Sequence, residues 1–175
     1  LEYFDHKLPF WTMNVSDLDK AAEVIREMEL GIFPSFIFML LPNDHSYGSK
    51  SGKPHPRWMV ADNDDGLGYL IEGISHSEYW PETAIFVIED DPQGTGDHVD
   101  AHRSIAMVIS PWVRRGYLSS VHYDMPSIHR TIQLILGLPP LGKNDAMAAP
   151  MLDIWVDGEE EQPDYTPYTR IPNQV

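Results

Sequence analysis

The sequence predicts an α/β fold with a mostly parallel sheet, and three observations carry that expectation. Strand-like apolar runs occupy residues 36–41 (FIFMLL), 84–88 and 104–109. Apolar residues recur at spacings of three and four within residues 17–29, 57–75 and 125–136, the period of a helix with one buried face. The two kinds of segment alternate, as they do when crossover helices cover a parallel sheet.

Taken in order, residues 1–16 read as an irregular entry segment, with Tyr3, Phe4, Phe10 and Trp11 among polar residues. Residues 17–29 place Leu18, Ala21, Ala22, Ile25 and Met28 on one helical face, and Ser16 or Asp17 supplies the cap. Gly31 and Pro34 interrupt the chain before residues 36–41, which read as a strand buried on both faces. That strand ends in Pro42-Asn43-Asp44-His45, and the Gly, Ser, Lys and Pro that follow to Pro56 predict a long exposed loop.

Met59, Val60, Leu67, Leu70, Ile71 and Ile74 then predict a helix over residues 57–75, its apolar pattern interrupted by the polar patch 62–66. The patch lacks the sixth-position Gly and twelfth-position acid of a calcium loop. A last helix runs from Met125 or Pro126 to Leu136, with Asp124 as cap, Pro126 in the first turn and Gly137 at its end. Residues 156–175 form an acidic tail rich in Pro and Tyr that wraps the surface or stays solvated.

The 175 residues suffice for one domain of ordinary size. Cysteine is absent, which excludes disulfides, thiolate zinc sites and cysteine nucleophiles. A formal net charge of −15 repels nucleic acid and anionic membrane surfaces, so neither is expected as a partner. No apolar stretch reaches the roughly 18 residues of a membrane span, so an integral membrane protein is not expected. Phosphate-cradling glycine loops, a nucleophile elbow and dinucleotide fingerprints are all missing.

The chemistry concentrates between residues 83 and 110. Asp90 and Asp91 stand side by side where the run 84–88 ends, and their mutual repulsion is relieved by a divalent cation or by protonation of one of them. An acid-rich turn would have the same composition. Asp97, His98, Asp100 and His102 follow, a set that suits Zn, Mn or Fe and could supply a general acid, or that could form a surface network with Arg103. Asp44 and His45 close another predicted strand, and in one parallel sheet the two carboxyl ends would converge, although Asn43-Asp44 could equally make a simple turn.

FVIEDDPQGTGDHVDAHRS, followed by ISPWVRRGYLSSVHYDMPSIHRTIQLILGLPPL, resembles the C-terminal part of the bacterial phosphoesterase family of acid phosphatases and phosphocholine-type phospholipases C, within the alkaline phosphatase superfamily. The resemblance runs from about residue 36 to 155 and implies a three-layer α/β/α fold hydrolysing phosphate esters with a metal-activated hydroxyl nucleophile. It assigns Asp90 and Asp91 as ligands of a divalent metal (Zn, Mn, Ca or Mg), His45 as a contact to the phosphoryl group or proton donor to the leaving oxygen, and His98 and His102 as residues at or near the site.

Two-metal relatives have an Asp four residues before the His45 equivalent, where this chain has Leu41, so one metal per site is implied. The family's opening strand ending in Glu-Asn and its later Ser or Thr nucleophile are not found in this chain. The expectation is therefore of a C-terminal portion of a larger enzyme, spanning residues 17–155, whose isolated form is inactive or nearly so and which pairs with an upstream portion or forms a homodimer through its open edge. The resemblance also implies a periplasmic or secreted location. A non-catalytic binding or structural module of the same fold, or an acidic metal-binding interaction domain, are the alternatives.

Overall fold

The computed structural model describes residues 11–90 and 104–173. The chain divides into two compact units, Leu1–Trp80 with Thr166–Val175, and Pro81–Tyr165.

The first unit is a helix pair. Helix α1, Asp17–Glu29, is capped by Ser16, whose Oγ accepts the Asp19 N–H at 2.9 Å, with Asp17 and Asp19 favourably placed near the positive end of the helix dipole. It buries Ala21, Ile25 and Met28, the apolar face expected from their spacing. Helix α2, Pro56–Ser75, starts at Pro56 and is capped by His55, whose Nδ1 accepts the Arg57 N–H at 3.2 Å.

The helices touch where α2 has no side chains. A Cβ on Gly66 would lie 2.7 Å from the Asp17 carbonyl carbon, and one on Gly73 would lie 2.5 Å from Ile25 Cδ1. The contacts fall about two turns apart on each helix and in the same order, so α1 and α2 run side by side in the same direction. Chain leaving the end of α1 must therefore return to its start before α2 can begin. Six extended residues span about 20 Å, close to the length of α1.

Residues 36–41 lie on that return path, and here expectation and structure differ. They form no strand and pair with none among the described residues, and Phe36 is 56% exposed. An apolar run becomes a sheet strand only when a neighbour takes up its backbone groups, and the only sheet among the described residues lies in the other unit. The chain then enters a 3₁₀ turn, Pro42–His45. The final segment docks on α2, where the Tyr168 N–H donates to Ser75 Oγ at 2.9 Å and Arg170 pairs with Asp65 at 2.9 Å and Glu72 at 3.4 Å.

In the second unit, β1 (Ile85–Ile88) and β2 (Ala106–Ile109) form a two-stranded antiparallel sheet in the register Ile85 with Ile109 through Ile88 with Ala106. This corrects the expected mostly parallel sheet, and a three-layer α/β/α arrangement is not seen among the described residues; the fold is mixed α/β. The parallel expectation rested on strands buried on both faces, whereas Ile88 and Met107 are exposed. The paired Phe86 and Val108 instead pack on the core of Ile128, Met151 and Ile154, while Ile85, Val87 and Ile109 on the other face are only half-buried.

Helix α3, Met125–Ile135, supplies Ile128 and ends at Gly137 with φ +66°. Asp124 caps it as expected, its Oδ1 accepting the Ser127 N–H at 2.9 Å. A short helix α4, Lys143–Met147, follows. Buried Asp145 organises its start, accepting from the Leu141 N–H at 2.7 Å, the Gly142 N–H at 2.8 Å and Gln133 Nε2 at 2.6 Å. Among the described residues no helix is long and apolar enough to cross a membrane.

Gly66→Ala should lower stability by about 1–3 kcal/mol, because its Cβ meets backbone that cannot move aside. Gly68→Ala, whose nearest neighbour is Arg170 Cβ at 3.3 Å, should cost less. Thermal unfolding followed by circular dichroism checks the order, and a Gly66→Ala protein as stable as wild type would refute the close approach. Acid should act through Asp145, held down to about 2 by Gln133 Nε2 and the two backbone donors. A depressed carboxyl stabilises the fold above its unfolded value near 3.8 and loses that contribution as pH falls toward 2. Asp145→Asn should therefore flatten the stability profile between pH 4 and 2, measured by urea unfolding across that range.

Candidate functional site

The first candidate residue, His45, stands at the end of the 3₁₀ turn, in the first unit. Pro42 starts the turn and Asn43 anchors it, only 2% exposed. The Asn43 N–H donates to Asp17 Oδ2 at 2.9 Å, and its Nδ2 donates to Asp62 Oδ2 at 2.6 Å. Asp44 and His45 are then delivered to the surface. The His45 N–H donates to Asp44 Oδ1 at 3.0 Å, and its ring Nδ1 lies 3.2 Å from the Ser46 carbonyl oxygen. With its proton on Nδ1 for that bond, the ring keeps the Nε2 lone pair available. Trp11 and the imidazole stand perpendicular, with their ring centres 5.7 Å apart.

The next residue is conformationally unusual. Ser46 has φ +55°, the only positive value at a described residue other than glycine. Such a conformation costs an L-residue about 1–2 kcal/mol and persists only where surrounding contacts enforce it.

The second candidate, Asp90, belongs to the second unit and follows β1 directly. The strand end is held from both sides: the Glu89 N–H donates to the Ile105 carbonyl at 3.2 Å, and Ser104 Oγ donates to the Glu89 carbonyl at 2.6 Å. Asp90 is exposed, with no hydrogen bond or ion pair to a described residue. Its oxygens are hard donors that suit a divalent cation. Asp91, His98 and His102 lie outside the described residues. Among the described residues no three carboxylate or imidazole groups stand close enough together to hold a metal.

Sequence reasoning overlooked two carboxylate hubs. Asp17, with no exposed surface, receives Asn43 N–H, Asn63 Nδ2 at 3.0 Å and Lys20 Nζ at 3.3 Å, while its own N–H donates to Asp62 Oδ2 at 2.7 Å. Burial pushes its carboxyl up from the ordinary value, opposed by the Asn43, Asn63 and Lys20 contacts. The visible signal was the polar patch 62–66 inside a helical pattern, read as a mere interruption. Asp153 in the second unit takes three hydroxyls, Tyr123 at 2.6 Å, Ser119 at 2.7 Å and Tyr117 at 3.1 Å, which hold its carboxyl below the usual range. Desolvation, then the Asp153 bond, pushes the Tyr123 phenol up to about 12. No local pattern marks a residue whose partners lie 30 or more positions away.

A family model described as "Phosphoesterase family" matches residues 10–139. The matched span includes α1 and ends before α4, so the likeness reaches further toward the N-terminus than the motifs after residue 36 indicated. No curated protein and no solved structure matches the chain.

Tyr123→Phe should lower stability by about 1.5–3 kcal/mol, the value of a hydrogen bond to a charged group, and should delete a phenol absorbance change near pH 12. Urea unfolding and spectrophotometric titration at 295 nm check the two parts; a substitution that changes neither removes Asp153 as a hub.

Proposed function

The chain belongs to the phosphoesterase family, and on that premise we propose that it serves metal-dependent hydrolysis of phosphate esters, with Asp90 and Asp91 holding one divalent ion. The observation that carries the reading is the family match, whose span includes Asp90 and Asp91. Support for the ligand assignment comes from the exposed Asp90, which has no partner among the described residues, and from the repulsion between adjacent carboxylates. Such an ion supplies charge neutralisation for phosphoryl oxygens when bound.

His45 takes the second role. In its protonated form the exposed imidazole can donate from Nε2 to a phosphoryl oxygen, or give that proton to the departing oxygen, which otherwise leaves as a costly alkoxide. His98 and His102 are proposed as further polar contacts at or near the same centre. The attacking hydroxyl is assigned to no residue of this chain. The reading therefore gives these 175 residues binding and positioning duties, with hydrolysis a property of the larger enzyme they serve.

Calorimetric titration of the chain with Zn, Mn, Mg and Ca should show binding that Asp90→Asn and Asp91→Asn each weaken by at least about tenfold. Binding indifferent to both substitutions would sink the metal assignment. In the same metals, p-nitrophenyl phosphate should be hydrolysed at or near background, and robust metal-dependent turnover would place the nucleophile within this chain.

A further inference from the structure

The turn that presents His45 is gripped by side chains from both helices of its unit, and the grip falls on the residues just before the imidazole. Asn63 Nδ2 donates to the Leu41 carbonyl at 2.7 Å, fixing the residue that enters the turn. Asp17 Oδ2 takes the Asn43 backbone N–H and Asp62 Oδ2 takes the Asn43 side chain, so one residue is held at two independent points. The Asp17 backbone N–H donates to Asp62 Oδ2, and Asn63 Nδ2 of α2 donates to Asp17 Oδ2, so the clamp residues are tied to one another.

We propose that Asp17, Asp62 and Asn63 are positioning residues for His45, acting through the 3₁₀ turn Pro42–His45. The proposal rests on the reading of His45 as the group that faces the phosphoryl oxygens. A purely stabilising tie between two helices would be made at lower cost by apolar packing. Here a fully buried carboxylate is accommodated with a single lysine, Lys20, and Asn43 Oδ1 stays buried with no hydrogen-bond partner among the described residues. Such costs define geometry rather than add stability. Immediately after His45, Ser46 is held at φ +55°, so strain on one side and a double clamp on the other leave the backbone that carries the imidazole little freedom.

Backbone ¹⁵N relaxation of the full 175-residue chain reads this directly. His45 should show an order parameter near the rigid value of about 0.85 in wild type, falling toward about 0.6 in Asp62→Ala and Asn63→Ala. Asp62→Asn keeps an acceptor oxygen in place and should restore rigidity. An equally rigid His45 in both alanine variants, with α1 and α2 still folded, overturns the proposal. If those variants do not fold, hydrogen exchange in wild type decides: the Asn43 amide should be protected as strongly as the α2 interior, and fast exchange refutes the clamp.

The functional premise has a separate readout. His45→Ala should weaken binding of inorganic phosphate to the metal-loaded chain, and Asn63→Ala should weaken it in wild type but by less than about twofold further in the His45→Ala background. Additive losses overturn action through His45. A His45→Ala chain that binds phosphate like wild type removes the premise, while the relaxation data still decide whether the clamp holds the turn.

Discussion

The first unit is organised by the absence of a side chain at position 66. Because Gly66 presents bare backbone, the first turn of α1 lies against the middle of α2 at a distance no Cβ would permit. Gly73 repeats the approach two turns later against Ile25. Two helices this close, running in the same direction, force the intervening chain to travel back along them. Their contact also encloses Asp17, the first residue of α1, where water cannot reach its carboxylate. Every polar partner that Asp17 needs must then come from the protein, and Asn43, Asn63 and Lys20 provide them.

Much of the acidic excess has structural work of this kind. Asp145 organises the start of α4, Asp153 gathers three hydroxyls from the segment leading into α3, and Asp157 Oδ1 accepts the backbone N–H groups of Glu159, Glu160 and Glu161. Each carboxylate substitutes for water at several donors at once, and charge-assisted bonds are about twice as strong as neutral ones. Glu161 with Arg114 and Asp164 with Arg115 form ion pairs that stay well exposed, where such pairs contribute little. Net charge alone therefore does not distinguish a carboxylate free to meet a ligand from one already engaged by the fold.

Asp90 differs from those hubs. The backbone around it is fixed by Ser104 and Ile105, yet its own carboxylate has no described partner. His45 shares this character, a polar side chain left exposed on a backbone that is tightly held. Rigid support with free chemistry at its tip is the arrangement a binding residue requires. On the proposed reading, a phosphate ester is what these two side chains meet.

Local rules read from the sequence located α1, α2 and α3, with Ser16 and Asp124 as caps and Gly137 as terminator, because periodicity and capping act within one or two helical turns. They also located both strands and the acidic pair after the first of them. Strand direction, the non-strand return path at residues 36–41, the burial of Asp17 and the hydroxyl cradle of Asp153 were beyond those rules. Each depends on which distant residue arrives alongside: Asn63 is 46 positions from Asp17, and Tyr123 is 30 from Asp153. By itself, the sequence determined where α1, α2, α3 and the two strands form, what caps α1 and α3, and which family the chain resembles. Only the tertiary structure decided which polar groups are buried and which strand meets which, since burial and pairing are properties of neighbours brought together by folding.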